Sequence, residues 1–206
     1  MSFAANLAEK LVTEHDLSEE ELLYLLEHRQ EVASFVQEEA QKLCQEVFGK
    51  EIYIRGLLEI SNICKNDCYY CGIRKSNRKA ERYRLTEEEI LEACRAGYAL
   101  GFRTFVLQGG EDMWYDDERL CHLVSAIRKN HPDCAITLSV GERSRESYEK
   151  LFAAGANRYL LRHETATASH YAMLHPSDMD FANRMRCLRD LKEIGYQVGC
   201  GFMVGS

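Results

Sequence analysis

The sequence has little of several features that would place it in a special class of protein. Its 206 residues carry a net charge of −7, and this lack of excess basic residues argues against a general nucleic-acid-binding protein. No apolar run approaches the ~18 residues that a membrane span needs. The amino terminus lacks the charged and apolar regions of a signal peptide. We therefore expect a cytoplasmic protein with no membrane and no nucleic-acid partner.

Proline is scarce as well, with only two residues in the chain, and no Pro-, Gly- or Ser-rich linker interrupts it. We predict a helical amino-terminal extension over residues 1–50 and one α/β domain over residues 51–206. Helical periodicity covers residues 3–48, where Ser18 and the acidic residues after it predict the start of a second helix. Gly49 predicts the end of a third helix that begins near Glu31.

Strands and helices alternate in the rest of the chain. Strands are predicted over residues 52–60, 104–108, 135–140, 158–162 and 197–204. Helices are predicted over residues 86–100, 117–130, 145–154, 168–174 and 181–194. This order predicts a parallel sheet with helices outside it, of the TIM-barrel type. Because a closed barrel of this type has eight strands and about 250 residues, we expect the sequence to be a fragment of a longer chain.

Cysteine, in contrast, is abundant, with nine residues in a chain expected in a reducing compartment. Six are scattered and are predicted to be small buried apolar residues, namely Cys44, Cys94, Cys121, Cys134, Cys187 and Cys200. Cys64, Cys68 and Cys71 instead form a C-x3-C-x2-C motif just after the first predicted strand. Three thiolates on one loop predict a 4Fe-4S cluster with one open iron. A zinc site with a remote fourth ligand, or cysteines that merely pack, is the alternative.

A glycine-rich turn follows the second predicted strand, in the sequence Gln-Gly-Gly-Glu-Asp. Gly109 and Gly110 would let the backbone approach a ligand closely. Ligands of parallel sheets bind beyond the carboxyl ends of the strands, where this turn is expected. The motif is weak by itself, because an ordinary turn has the same composition, and it gains weight from the cysteine motif before it.

The fourth predicted strand carries unusual charge. Alternation places four side chains on one face of it, namely Arg158, Leu160, Arg162 and Glu164. Charges inside a barrel are costly unless they are paired or bind a ligand, so the pattern predicts an anion such as a carboxylate held by the two arginines. A self-contained network of salt bridges is the alternative. Thr137 and Ser139 on the third predicted strand would add small polar groups to the same lumen.

The cysteine motif resembles that of the radical S-adenosylmethionine (SAM) superfamily, and the sequence resembles most closely its HydE type, a maturase of [FeFe]-hydrogenase. The matching segments are GLLEISNICKNDCYYCGIRKSN, YRLTEEEI, VLQGGED, LSVGERS, NRYLLRHETA and NRMRCLRDLKEIGY. They extend from about Tyr53 to Gly205. The sequence has Gln-Gly-Gly-Glu where this type has Gln-Ser-Gly-Glu, but glycine at that position is common across the superfamily.

The resemblance implies roles for particular residues. It implies two cofactors, a 4Fe-4S cluster and SAM. Tyr70 would lie beside the adenine of SAM, although a packed aromatic residue is the alternative. Glu164 and Arg184 would contact SAM, with Arg184 on its carboxylate. The SAM amino group would be bound by the glycine-rich turn, which comprises Gln108, Gly109, Gly110 and Glu111. The anion region deeper in the barrel would be lined by Thr137, Ser139, Arg158 and Arg162.

The same resemblance implies reductive cleavage of SAM to a 5′-deoxyadenosyl radical during assembly of the two-iron subcluster of the hydrogenase. The substrate would be a small cysteine-ligated iron species with CO and cyanide, attacked at sulfur. Implied partners are an electron donor such as ferredoxin or flavodoxin and the other hydrogenase maturases. Three alternatives stay open: a synthase acting on an amino-acid-derived substrate, like methylornithine synthase; sulfur insertion like that of biotin synthase; and a non-catalytic iron–sulfur scaffold or redox sensor.

Overall fold

The computed structural model describes residues 2–206, and the chain divides into two compact units, Met1–Tyr53 and Ile54–Ser206. The first unit consists of three helices, α1 (Phe3–Glu14), α2 (Glu19–Glu27) and α3 (Arg29–Phe48). Ser18 and Glu21 form a capping box at the start of α2, which satisfies two otherwise free N–H groups. A small apolar core holds the helices together, built from Ala4, Leu7, Ala8, Leu25 and Val32.

The second unit alternates strands and helices and thereby confirms the predicted α/β class. Its strands are β1 (Gly56–Ser61), β2 (Thr104–Gly109), β3 (Ala135–Ser139), β4 (Arg158–Leu160) and β5 (Gln197–Gly199). Its helices are α4 (Glu87–Ala99), α5 (Asp117–Asn130), α6 (Arg145–Ala153), α7 (Ala168–Leu174) and α8 (Phe181–Ile194). The strands form one parallel sheet in the order β1-β2-β3-β4-β5. Consecutive parallel strands joined through helices form part of a TIM-type barrel wall.

The two faces of the sheet have different environments. One face packs against the helices and is buried, with Phe105, Leu107 and Ile136 at most 1% exposed. The opposite face carries the alternate residues, where Thr137 and Arg158 are half-buried neighbours in register. The face with helices on it forms the hydrophobic core. The other face corresponds to the predicted lumen side, and the alternation that placed Thr137 and Ser139 together on that face is correct.

Four predicted strands are longer than the observed ones, the third by only one residue. The first begins at Gly56 rather than at residue 52, because pairing with β2 starts at Gly56 opposite Phe105 and Ile52 is 88% exposed. The fourth ends at Leu160 and the fifth at Gly199. Strand length depends on a neighbouring strand that offers hydrogen bonds, which a local sequence pattern does not report. The consequence for the fourth strand is that Arg162 and Glu164 lie beyond its regular alternation.

Helix bounds agree closely with the predictions, and α5, α7 and α8 match to the residue. Thr86 caps α4 in a second capping box, with Glu89. The six scattered cysteines divide into three groups by burial. Buried as predicted are Cys94, Cys134 and Cys187, and Cys121 is half-buried. The prediction was wrong for Cys44 and Cys200, which are exposed. No helix within residues 2–206 combines the length and the apolar character needed to cross a bilayer.

Candidate functional site

A cavity of ≈ 150 Å³ lies at the carboxyl ends of the first four strands, and we call it the cysteine cavity. It contains all three cysteines of the motif. It also contains residues that follow three other strands. Its lining is Cys64, Asn66, Cys68, Tyr70, Cys71, Ile73, Gly109, Gly110, Glu111, Ser139, Gly141, Leu160, Leu161, Arg162, Glu164 and Arg184. This is the position where parallel α/β sheets bind their ligands.

The cysteine loop, residues 62–77, is shaped by an arginine that follows it in sequence. Arg82 donates to the carbonyl oxygens of Ile73 at 2.8 Å and Arg74 at 2.7 Å, and also to those of Asn62 and Asn77. A planar guanidinium can satisfy several acceptors at fixed angles at once. Because the four acceptors flank the three cysteines on both sides, Arg82 holds the ends of the loop together.

The glycine-rich turn packs directly on this loop. A Cβ atom at Gly110 would lie 2.3 Å from the carbonyl oxygen of Ile63 and 2.7 Å from Cβ of Cys64, so any larger residue would push the two segments apart. The close approach lets the backbone N–H of Glu111 donate to Sγ of Cys64 over 3.4 Å. The N–H of Asn66 donates to the same sulfur over 3.5 Å. N–H groups aimed at a cysteine sulfur are typical of iron–sulfur sites.

Asp112 anchors the same turn from behind and is 6% exposed. Its carboxylate accepts two hydrogen bonds from Arg84, at 2.8 and 2.9 Å, and one from the hydroxyl of Ser61 at 2.7 Å. Burial by itself would raise the pKa of Asp112, but these donors hold it below its usual value. The carboxylate therefore stays charged and fixes the end of β1 to the turn after β2.

Two thiols of the loop differ from redox-reactive cysteines. Burial raises the pKa of Cys64 and raises the pKa of Cys68 to about 11. Redox-reactive cysteines have the opposite property, a lowered pKa that exposes a thiolate. Thiols that lose their protons when a metal binds are compatible with raised values in the metal-free chain.

The three cysteines of the motif line one cavity. A 4Fe-4S cluster takes each cysteine on a different iron, so three such ligands would leave one iron without a protein ligand. Within residues 2–206 no group of three or more His, Cys, Asp or Glu side chains converges as a site for one metal ion.

One wall of the site comes from α7 and the residue after it. His175 is 2% exposed and its ring stacks on Tyr171 with centroids 3.8 Å apart. Its Nδ1 lies 2.9 Å from the carbonyl oxygen of Tyr171 and its Nε2 lies 3.3 Å from the hydroxyl of Tyr70. Because a carbonyl only accepts, Nδ1 carries the proton and Nε2 accepts from Tyr70. The neutral ring thereby fixes the direction of the Tyr70 side chain.

Arg184, on the first turn of α8, enters the cavity while it is itself 6% exposed. Its Nε donates to Oε1 of Glu142 over 2.5 Å, and a terminal nitrogen donates to the carbonyl oxygen of Arg162. Although burial alone would lower the pKa of Arg184, the Glu142 carboxylate raises it above its usual value. Arg184 is therefore a permanently charged group held in a fixed position beside the cysteines.

Glu164 has an uncommon backbone conformation, with φ of 65°. Glu164 is 9% exposed and lines the cysteine cavity. Its backbone bonds to Gly201 and Met203 on either side. Non-glycine residues in the left-handed region are rare and concentrate at functional sites, because the strain is kept only where the surroundings enforce it.

The structure gathers most of the site residues expected from the sequence, but not all. Ser139 and Arg162 line the cysteine cavity together with the cysteines, whereas Thr137, Arg158 and Gln108 do not. Arg158 bonds to Gln197 at 2.7 Å and lies near Thr104, at the amino ends of the strands. The side chain of Gln108 bonds to Glu59 at 2.6 Å. These contacts hold Arg158 at the amino ends of the strands, away from the cysteine cavity at their carboxyl ends, and an anion site shared with Arg162 stays a prediction.

Sequence reasoning missed four residues that build this site, namely Arg82, Glu142, Tyr171 and His175. Three of them, Arg82, Glu142 and His175, contact residues that are distant in sequence, whereas Tyr171 supports the nearby His175. A partial signal existed for Glu142, since it follows the third strand in the segment Leu-Ser-Val-Gly-Glu-Arg-Ser. A charged residue at that end of a parallel strand is expected to face the ligand.

The geometry agrees with comparisons to known proteins. The model of the Radical SAM superfamily matches residues 58–206. The chain belongs to the radical SAM superfamily, whose members are enzymes that use a 4Fe-4S cluster and SAM, a small-molecule substrate and a reductant.

Two curated relatives show which members of the superfamily this chain resembles. The chain is 46% identical over 166 residues to the [FeFe] hydrogenase maturase subunit HydE of Thermotoga maritima, which covers 81% of this chain and 47% of that protein. It is 32% identical over 201 residues to 3-methylornithine synthase of Methanosarcina acetivorans, which covers 96% of this chain and 56% of that protein. The chain spans about half the length of the curated relatives it matches.

Solved structures share the fold over nearly the whole chain. The crystal structure of methylornithine synthase (PylB) superposes with a TM-score of 0.84 at 30% identity, over 97% of this chain and 59% of that one. The crystal structure of HydG, a maturase of the [FeFe]-hydrogenase, gives a TM-score of 0.85 at 25% identity, over 98% and 46% of the two chains. These matches confirm the TIM-barrel type of fold.

Proposed function

We propose that this chain is the cluster- and SAM-binding part of a HydE-type maturase that acts in assembly of the [FeFe]-hydrogenase active site. The observation that carries the proposal is the cysteine cavity, where Cys64, Cys68 and Cys71 meet Glu164 and Arg184. The 46% identity to HydE supports this type of maturase over more distant members of the superfamily.

In this proposal Cys64, Cys68 and Cys71 would hold the cluster, and the other polar residues of the same cavity would hold SAM. When bound, the cluster supplies the electron that cleaves SAM reductively. Arg184 is a fixed cation suited to the SAM carboxylate. Glu164 supplies a carboxylate to the lining of the same cavity.

The remaining lining residues orient and shield the bound cofactor. The glycine-rich turn offers backbone groups at close range, because Gly109 and Gly110 have no side chain to intervene. Tyr70 presents an aromatic face whose direction His175 fixes. Arg162, exposed at the mouth of the cavity, is the residue we propose for an anionic substrate group.

The test is anaerobic reconstitution of the complete protein, followed by electron paramagnetic resonance with and without SAM. We expect a reduced 4Fe-4S signal that changes on addition of SAM, with release of 5′-deoxyadenosine. Maturation of an apo-hydrogenase by the complete set of maturases, dependent on this protein, would support the HydE type. A cluster signal that is indifferent to SAM would contradict the proposal and favour a scaffold.

A second candidate, a synthase acting on an amino acid, is supported by the 32% identity to 3-methylornithine synthase and by the superposition on PylB. It uses the same cluster and SAM groups, with Arg162 binding an amino-acid carboxylate. The two candidates differ in product. Formation of an amino-acid product such as 3-methylornithine, without any effect on hydrogenase maturation, would favour the synthase.

A further inference from the structure

Charge is distributed very unevenly along this chain. Residues 64–84, which contain the three cysteines, carry seven basic and two acidic side chains, a net charge of +5. The whole chain has a net charge of −7, so the other residues together carry −12. A strongly basic segment on an acidic protein creates a local positive potential, which attracts anionic partners and repels positively charged surfaces.

Four of the seven basic side chains have structural partners. Arg82 binds the four carbonyls of the cysteine loop. Arg84 is paired with Asp112, and Lys65 with Glu111 at 3.0 Å. Arg74 donates to the carbonyl oxygen of Cys71 at 2.9 Å. These contacts account for the buried part of the segment and leave three basic residues over.

The three others are Lys75, Arg78 and Lys79, which we call the basic edge. All three are exposed, and within the described part of the chain none takes part in an ion pair. Lys75 and Arg78 border an open hollow of ≈ 480 Å³. Two carboxylates, Asp67 and Asp178, line the same hollow. Asp67 accepts a hydrogen bond from the backbone N–H of Ser76 at 2.9 Å, and neither carboxylate forms an ion pair with the three cations within the described residues, so the basic edge keeps a net positive charge.

The basic edge is part of the cysteine loop itself. The backbone N–H of Lys75 donates to the carbonyl oxygen of Asn66 over 2.8 Å, and Asn66 stands between Cys64 and Cys68 in sequence. Arg78 and Lys79 follow directly. A protein that docks on the basic edge therefore lies next to the cysteine loop.

We propose that the basic edge is the docking surface for an acidic electron-donor protein. The proposal rests on the proposed cluster at Cys64, Cys68 and Cys71. Electron tunnelling falls steeply with distance, so a protein donor has to dock close to the group that it reduces. Three separate exposed cations without a backbone cradle suit long-range steering of a charged protein surface, rather than tight binding of one small anion.

The step is a simple electron transfer. One electron leaves the reduced iron–sulfur centre of the donor and enters the oxidised cluster held by the cysteine loop. No bond is formed or broken, and no proton has to move. Lys75, Arg78 and Lys79 contribute the encounter and the orientation of the donor, and they leave the cluster itself unchanged.

The experiment compares two donors that reduce the same reconstituted complete protein. Reduced plant-type ferredoxin, an acidic protein, is mixed with it anaerobically, and bleaching of the cluster absorbance is followed by stopped flow. Dithionite, a small reductant, serves in parallel. The test variant is Lys75→Glu, Arg78→Glu and Lys79→Glu. The control variant reverses three exposed cations on α5 and α8 instead, with the same change in net charge, as Lys129→Glu, Arg189→Glu and Lys192→Glu.

We expect the test variant to be reduced by ferredoxin at least about tenfold more slowly at low ionic strength, with the dithionite rate unchanged. The control variant is expected to keep both rates within about twofold. Equal slowing of the two variants would show that net charge alone matters and would overturn the proposal. An unchanged ferredoxin rate in the test variant would overturn it as well.

Two further measurements do not depend on turnover. The ferredoxin rate of the unaltered protein is expected to fall as salt is raised, because exposed charges are screened, and a salt-independent rate would overturn the proposal. Calorimetry is expected to show oxidised ferredoxin binding to the unaltered protein more tightly than to the test variant. If no cluster forms in the unaltered protein, the proposed function fails first, which distinguishes that failure from failure of the docking surface.

Discussion

Glu142 and Arg184 form an ion pair in which both side chains are mostly buried, 16% exposed for Glu142 and 8% for Arg184. The two residues come from different elements, the turn after β3 and the first turn of α8. Asn183 donates to the other oxygen of the same carboxylate at 2.7 Å. The pair therefore fixes a positive charge at the cavity that would otherwise have to be withdrawn into water.

Replacement of Glu142 by alanine is expected to cost about 3 kcal/mol of unfolding free energy, because it leaves a buried guanidinium without its counter-charge. SAM affinity is expected to fall with it, since Arg184 loses its fixed direction. Chemical denaturation and calorimetric SAM titration measure the two effects. Glu149→Ala is the matched control, because Glu149 pairs with Arg145 at the surface, where such a pair contributes less than about 1 kcal/mol. Equal losses in the two variants would refute the assignment.

Gly110→Ala is expected to reduce the iron and sulfide content of the reconstituted protein, because the new methyl group would collide with Ile63 and Cys64. Gly72→Ala provides the control in the same loop, since a Cβ at Gly72 meets nothing within 4 Å. Iron and sulfide per chain are measured after identical reconstitution. If Gly110→Ala loads as fully as Gly72→Ala, the turn does not position the cysteine loop.

Substitution of Glu164 separates its backbone strain from its carboxylate. Glu164→Gly removes both the backbone strain and the carboxylate. Glu164→Ala removes only the carboxylate, because alanine keeps the conformational penalty at a φ of 65°. We expect both variants to bind SAM at least about tenfold more weakly, which corresponds to 1.4 kcal/mol. Only the glycine variant is expected to gain stability, by about 1 kcal/mol. An alanine variant that keeps its SAM affinity would exclude a role of the carboxylate in binding.

Stability is expected to depend on pH through His175. Burial lowers the pKa of His175, so the unfolded chain binds a proton at a pH where the folded chain does not. Stability from this residue is therefore full above the unfolded value of about 6.5 and decreases as the pH falls toward the lower folded value. The slope contributed by one such group is at most about 1.4 kcal/mol per pH unit.

Urea unfolding of the complete protein at pH 7.5 and at pH 5.5 measures this dependence. His175→Gln has no titrating ring and is expected to lose less stability over the same interval than the unaltered protein. The exposed His122 pairs only at the surface, with Glu87. The variant His122→Gln is expected to lose as much stability between the two pH values as the unaltered protein. If His175→Gln keeps the full pH dependence, the titrating group lies elsewhere.

The sequence predicts the fold well because its helices are defined locally. Capping residues such as Thr86 and Ser18, and the left-handed glycine at residue 195, mark helix ends with contacts a few residues long. The short strands at Arg158 and Gln197 could not be delimited, since their ends depend on pairing between distant segments. Of the four residues predicted to share one face, Leu160, Arg162 and Glu164 line the cysteine cavity although the regular strand ends at Leu160, whereas Arg158 does not line it.

The candidate site was predictable where it is written as a compact motif, as in the cysteine loop and the glycine-rich turn. It was not predictable where one side chain supports another across the fold. Arg82 reaches carbonyls that precede it by up to 20 residues, and His175 reaches Tyr70 across 105 residues. Such pairs are created by the tertiary structure, and no local periodicity reports them.

Arg82 grips the cysteine loop only through main-chain carbonyls and leaves the sulfur atoms free. The contacts that hold the ends of this loop therefore need no metal, in contrast to zinc fingers, in which metal binding and folding are a single event. We expect the surrounding chain to stay folded when iron and sulfide bind to the loop or are lost from it after oxidative damage. Repair of a damaged centre then becomes a matter of refilling, and the polypeptide itself can be used again.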